Sequence, residues 1–259
     1  MTRKDPWVLE LCRTRRAAAH VVLFPHAGGA ATYYAPFARR LPGVLDVSAV
    51  QYPGRQDRFD EPFVTTVEGL ADHVARSLRR YAGSPVPLVL FGHSMGASVA
   101  FETVVRLAAE GGTAPCRLIV SGRAAPSALR AGRGAGDTDE ELLRRLAELG
   151  GTDPEIVRSP DLMDLFMPAI RNDYRAVELY RPTEHTVVDV PVLCLVGEQD
   201  PQVSLDEAAS WKDHTKAEFR LRSYPGGHFF LLDHLAEVTR IVVEWAGSGN
   251  GGPAPVSDW

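Results

Sequence analysis

Ser94 lies in Gly92-His93-Ser94-Met95-Gly96, a G-x-S-x-G pentapeptide, and a serine so placed is a candidate nucleophile for acyl transfer. A hydroxyl attacks poorly until a base removes its proton, and the base needs an acid to fix its tautomer. The pentapeptide alone is a weak signal in a chain with 23 glycines. Its flanks strengthen it, because the apolar run VPLVLF precedes it and the helical pattern ASVAFETVVRLAAE follows. A strand-to-helix turn of this kind holds serine in strained backbone geometry above a sheet edge, and flanking glycines avoid clashes there. The helix behind it presents a dipole end that favours developing negative charge. A serine that only caps the helix is the other reading.

The partners of such a serine follow it in the order acid, then histidine, just beyond later strand ends. Val190 to Val196 runs into Gly197-Glu198-Gln199-Asp200-Pro201, so Asp200 is the candidate acid, with turn formation before proline as its other role. Glu198 is the next acid to consider. Phe219 to Tyr224 runs into Pro225-Gly226-Gly227-His228, and a loop-borne His228 suits a base that moves between hydroxyl and leaving group. His185, His214 and His234 are weaker candidates, being expected on helices or in an insertion.

An oxyanion intermediate needs two backbone N–H donors, one from the residue after the nucleophile and one from the loop after an early strand. Met95 supplies the first. Within His26-Ala27-Gly28-Gly29 the second is assigned to Ala27, with Gly28 as the neighbour that could replace it. A phosphate-binding loop is the rival reading of that turn, but it lacks both G-x-G-x-x-G and a Walker lysine. No group of His, Cys, Asp or Glu has the spacing of a zinc or EF-hand site, so neither metal nor cofactor is expected.

These residues require strands to carry them. Apolar runs at His20 to Pro25, Val47 to Tyr52, Val86 to Phe91, Arg117 to Ser121, Val190 to Val196 and Phe219 to Tyr224 read as strands, most of them apolar on both faces as in a sheet covered on both sides. Helical patterns lie at Thr66 to Tyr81, Ala97 to Glu110, Asp206 to His214 and Phe230 to Trp245. Such alternation predicts an α/β class fold, a mostly parallel central sheet flanked by helices. Residues 1–122 and 188–246 form the predicted core, and 123–187 a helical lid insertion. The insertion opens with a Gly-, Ala- and Arg-rich loop from Arg123 to Asp139, then carries two helices. The second, Asp161 to Tyr180, places Leu162, Phe166, Ile170, Tyr174 and Val177 at spacings of three and four, and Met163 and Met167 widen the stripe. That face either completes the core or roofs a substrate channel. The length of the insertion favours a lid, with Leu162, Phe166, Met167, Ile170 and Tyr174 against the channel. The Gly- and Pro-rich tail, 247–259, is expected to be disordered.

The whole chain, 259 residues with a net charge of −5 and 45% hydrophobic residues, has the composition of a soluble globular protein. Without a basic run it is not expected to bind nucleic acid. No 18-residue apolar run occurs, Met1 to Arg16 lacks a signal-peptide core, and Cys12, Cys116 and Cys194 have no CxxC spacing. A cytoplasmic protein without a membrane partner is therefore expected.

Six segments in register, FPHAGGAATYYAPFARRL, QYPGRQDRFDEP, FGHSMGASVAFE, LAELGGTDPEIVRSPDLMDLFMPAIRNDYRAVELY, LVGEQDP and PGGHFFL, resemble type II thioesterases that accompany modular polyketide and nonribosomal peptide synthetases. The resemblance implies the α/β-hydrolase fold, a Ser94, Asp200 and His228 triad, and Ala27 with Met95 as oxyanion donors. It further implies hydrolysis of aberrant acyl groups from the phosphopantetheine arm of carrier proteins, in trans. A carboxylesterase or lipase on the same triad and a non-catalytic binding protein of this fold are the alternatives. Carrier proteins are acidic near the arm, so Arg55, Arg58, Arg123, Arg130 and Arg133 are expected to gather at the channel mouth.

Overall fold

Strands apolar on both faces must be buried on both, and the order of elements achieves this. The computed structural model describes residues 5–41, 43–109, 116–129, 138–151, 159–183 and 185–247. Seven strands, β1 Val8–Cys12, β2 Ala19–Phe24, β3 Leu45–Val50, β4 Leu88–His93, β5 Cys116–Ser121, β6 Val192–Gly197 and β7 Phe219–Tyr224, form one sheet in the order β1-β3-β2-β4-β5-β6-β7. Every neighbouring pair is parallel except β1 with β3. The fold is an α/β-hydrolase fold.

The α-helices among the described residues are α1 Ala35–Arg40, α2 Val67–Leu78, α3 Met95–Ala109, α4 Asp139–Leu149, α5 Pro160–Leu179, α6 Leu205–Ala209, α7 Phe230–Asp233 and α8 Leu235–Gly247. Alternate strand residues divide between two cores. Val22, Phe24, Leu88, Leu90, Val192 and Cys194 pack with α2 and α3 on one face. Val21, Leu23, Val89, Phe91, Leu193 and Leu195 pack with α1 and α8 on the other. Side-chain caps start several helices at residues that satisfy otherwise orphan N–H groups: Thr66 for α2, Thr138 with Glu141 for α4, Ser204 with Glu207 for α6.

Three elements differ from the sequence reading. β1 falls within the charged N-terminal stretch and was not expected, because as a half-exposed edge strand it lacks the two-faced apolar pattern. The helix expected from Phe230 to Trp245 breaks at His234 into α7 and α8. The one expected from Asp206 to His214 continues from α6 as a 3-10 turn, Ser210–His214.

Between β5 and β6, α4 and α5 make a small core of their own from Leu142, Leu146, Met163, Met167 and Ile170. Part of the preceding loop, residues 130–137, and residues 248–259 of the tail lie outside the described residues. No helix among the described residues is long and apolar enough to cross a membrane.

Candidate active site

Parallel pairing brings the carboxyl ends of β4 to β7 to one edge, and the candidate residues stand there. Ser94 follows His93, which pairs with Ser121, and Gly197 pairs with Tyr224. Ser94 has φ 53°, a left-handed backbone that costs a residue with a β-carbon about 1–3 kcal/mol. Two hydrogen bonds hold it, from its N–H to the Ser121 carbonyl (2.8 Å) and from the Ala97 N–H to its carbonyl (3.0 Å). The flanking glycines are required by contact: a β-carbon on Gly96 would sit 2.0 Å from the Phe24 carbonyl oxygen, and one on Gly92 2.2 Å from that of Gly96. β2, β4 and α3 therefore meet backbone to backbone under the serine.

The loops after β6 and β7 are laced together. The Glu198 N–H donates to the Tyr224 carbonyl (2.8 Å) and the Gln199 N–H to that of Gly226 (3.0 Å). Asp200 accepts from the Gln202 N–H through Oδ1 (2.8 Å), which leaves Oδ2 to accept from His228 Nδ1 at 2.8 Å. Both side chains are buried, at 0% and 2% exposure. This bond fixes the tautomer with Nε2 unprotonated, the atom a base needs. Ser94 Oγ makes no hydrogen bond to His228 among the described residues. Such contacts are often loose without substrate and tighten on binding.

The rival candidates are occupied elsewhere. Glu198 is exposed and accepts from the Ser223 hydroxyl (3.1 Å). His214 is enclosed by the Thr186 carbonyl and Ser127, His234 bonds to the Pro225 carbonyl, and His185 is exposed.

In the loop after β2, the Gly28 N–H donates to Asp173 Oδ2 (2.9 Å) and the Gly29 N–H to the His26 carbonyl (2.9 Å). Gly28 is thereby spent. The amides of Ala27 and Met95 make no hydrogen bond to a described acceptor.

Three imidazoles crowd the site. His93 and His228 have ring centroids 5.0 Å apart, and His26 lies edge-on to Phe229 and Tyr33. Burial first, then the neighbouring His228, lowers the pKa of His26 to about 3 and that of His93 well below the usual histidine range. Both therefore stay neutral beside His228. Sequence reasoning passed over them, although both lie inside motifs it had singled out.

A cavity of about 750 Å³ opens between the insertion and the core, lined by Gly122, Arg123, Leu149, Tyr174, Tyr180 and Asp200 among others. A β-carbon on Gly122 would stand 2.7 Å from His93 Cε1 and 3.2 Å from His228 Cε1, so this glycine packs directly on the two imidazoles, while neither Ser94 nor His228 lines the cavity itself. Of the residues expected to line a channel, Tyr174 is the one that borders this cavity. Met167 and Ile170 are buried and, with half-buried Phe166, pack on α4, while Leu162 is 39% exposed and faces solvent. A helix stripe looks alike whether it meets a helix or a cavity, and here α4 takes most of it.

Two of the five arginines expected at the channel mouth stand inside the protein instead. Arg55 is buried in an ion pair with Asp173. Arg58 is equally enclosed, bonded to Glu61 and the Gln51 carbonyl and stacked on Trp7. Both are internal struts and offer no charge to a partner. Arg123 does line the cavity, bonded to Ser98 Oγ (2.9 Å), and burial lowers its pKa to about 10, so it stays charged. Arg130 and Arg133 lie outside the described residues.

Residues 19–245 match the family model described as a thioesterase domain. Among curated proteins the chain is similar to the thioesterase PikA5 of Streptomyces venezuelae, at 40% identity over 90% of this chain and 82% of that one. It is also similar to a probable cadicidin biosynthesis thioesterase of Streptomyces griseus, at 38% over 96% and 68%. Among solved structures it resembles the type II thioesterase BorB from the borrelidin biosynthetic cluster, with TM-score 0.85, 39% identity and coverage of 95% and 100%.

Proposed function

The chain belongs to the thioesterase-domain family, and on that premise we propose that it is a type II thioesterase, clearing acyl groups from the phosphopantetheine arm of carrier proteins in a polyketide or nonribosomal peptide synthetase. The observation that carries the reading is the buried His228–Asp200 bond, on loops laced at the same sheet edge as the strained Ser94.

The proposed steps use these residues in turn. His228 Nε2 takes the Ser94 proton as Oγ bonds to the thioester carbonyl carbon, and the carbonyl oxygen, now negative, receives the N–H groups of Ala27 and Met95. The intermediate collapses, the C–S bond breaks, and the departing sulfur takes the proton from His228. A water enters, loses a proton to His228 and adds to the acyl-enzyme. The free acid leaves and Ser94 regains its proton. A thiolate leaves readily, so the demanding step is admission of water. The arm of the carrier is the only prosthetic group these steps use. The cytoplasm is the proposed compartment.

The test is intact-mass measurement of carrier proteins loaded with a panel of acyl groups, before and after addition of the enzyme. Loss of the acyl mass with wild type and none with Ser94→Ala is expected. Faster cleavage of an oxyester than of its matched thioester would indicate a carboxylesterase. No reaction, with Ser94 also inert to a fluorophosphonate, would indicate a binding protein.

A further inference from the structure

A buried carboxylate on the insertion helix touches the backbone of the loop that presents Ala27. Asp173 of α5 is 1% exposed and lies 145 residues from Gly28, yet its Oδ2 accepts the Gly28 N–H at 2.9 Å. The same carboxylate is gripped by Arg55 at two points, Nη1 to Oδ2 (2.6 Å) and Nη2 to Oδ1 (2.9 Å). Arg55 Nη1 also donates to the Gly29 carbonyl (3.0 Å). Gln51 continues the lattice, accepting from the Ala31 N–H (2.8 Å) and donating to the Arg55 carbonyl (3.2 Å). Packing adds to these bonds, since Ile170 of α5 stands 2.7 Å from where a β-carbon on Gly28 would be.

Arg55 is suited to this place. Burial alone would lower its pKa, but Asp173 more than offsets that and raises it, so the guanidinium stays charged. Its planar fork matches a carboxylate with two bonds and still has a donor for a carbonyl.

We infer that Asp173, clamped by Arg55, is a positioning residue for the oxyanion loop, so that the hole is assembled only while the insertion helix is seated. The inference rests on Ala27 and Met95 being the oxyanion donors. Fixing the Gly28 N–H fixes the peptide plane between Ala27 and Gly28, and with it the setting of the preceding amide that must meet the oxyanion. Donors act well only when held in place before charge develops. If α5 lifts, Gly28 loses its acceptor and Arg55 its counter-ion together. A buried charge left without its partner is costly, which favours the seated state.

The experiment measures Asp173→Ala and the volume-matched pair Arg55→Met/Asp173→Leu, the second because an apolar replacement of a buried ion pair is often tolerated. Both would be checked for cooperative melting. For an acyl-pantetheine thioester, kcat is expected to fall about tenfold or more while KM moves less than about threefold, since the loss falls on the transition state. Affinity for an alkylboronic acid, which adds to the serine oxygen as a tetrahedral anion, should fall in parallel. Asp173→Asn, which keeps an oxygen acceptor for Gly28, should lose less. A folded variant with wild-type kcat, one changed only in KM, or one with reduced kcat and unchanged boronate affinity would each overturn the inference. Should neither variant fold, hydrogen exchange of the wild-type protein decides. The Gly28 amide and those around Asp173 should open at one common rate, and independent rates would overturn the coupling. Wild-type protein that binds no boronate and leaves Ser94 unlabelled would bring down the triad assignment itself.

Discussion

Ser94 is strained in its backbone and unencumbered in its side chain, a combination that separates stability from activity. Replacing it by alanine removes one hydroxyl and no packing, so hydrolysis should fall by about 10³ or more while the melting curve barely moves. Steady-state rates and a thermal scan on one preparation check both halves, and more than about a tenth of the activity remaining would remove Ser94 from the mechanism. Asp200 offers a sharper contrast. Asp200→Asn keeps the shape of the loop but no longer holds His228 with Nε2 free, and a loss of up to about 10⁴ in kcat is expected, as in serine proteases. Glu198→Gln should be close to wild type, because Glu198 faces Ser223 and solvent. The reverse ranking of the two variants would transfer the acid's role to Glu198. These residues were legible because each stands in a short motif at a strand end. Asp173 and Arg55 were not: they are 118 residues apart, and a lone aspartate in the polar run Arg171 to Arg175 has the pattern of a solvated helix face.

At the scale of elements, the closest backbone contacts and the separate small core predict different kinds of failure. Gly96→Ala drives a β-carbon to 2.0 Å from the Phe24 carbonyl oxygen, and backbone of two core elements cannot yield as a flexible side chain can. Destabilisation beyond about 4 kcal/mol is expected, read as loss of soluble, cooperatively melting protein. Leu146→Ala should act locally, because Leu146 packs within the cluster of α4 and α5, apart from the two cores of the sheet. The cavity it leaves is worth about 2–5 kcal/mol at a rigid site. Hydrogen exchange should quicken in 139–149 and 160–179, with the sheet amides unchanged. Uniform quickening across the chain would show that the insertion and the sheet unfold as one unit. The same separation explains what the sequence could convey. Parallel strands covered on both sides announce themselves as apolar runs, which made β2 to β6 readable; β7, at one edge, is exposed at four of its six positions, and β1, at the other, has a half-exposed pattern. The stripe on α5 was readable too, but not its partner, since α4 and a cavity select the same spacing.

Across the whole molecule, buried neutral histidines tie folding to pH. Burial is the first cause for all three: it takes the pKa of His20 to about 4 and that of His26 to about 3, and that of His93 well below its ordinary value. In the unfolded chain the same groups titrate near about 6.5. As pH falls through that value the unfolded state binds protons that the folded state refuses, so stability is full above about pH 6.5 and falls below it. For His20 the loss continues down to about pH 4, and for His26 to about pH 3, where the folded state at last takes its proton. Each group contributes a slope of up to about 1.4 kcal/mol per pH unit, so three together reach about 4. Urea unfolding between about pH 7 and about pH 5 should thus show a falling midpoint at constant m-value. His26→Phe, which keeps an aromatic ring against Tyr33 and Phe229 but cannot take a proton, should flatten that slope by about a third. A midpoint that stays level across this range would mean that the folded protein binds these protons as readily as the unfolded chain, and that the imidazoles around His228 are not held neutral.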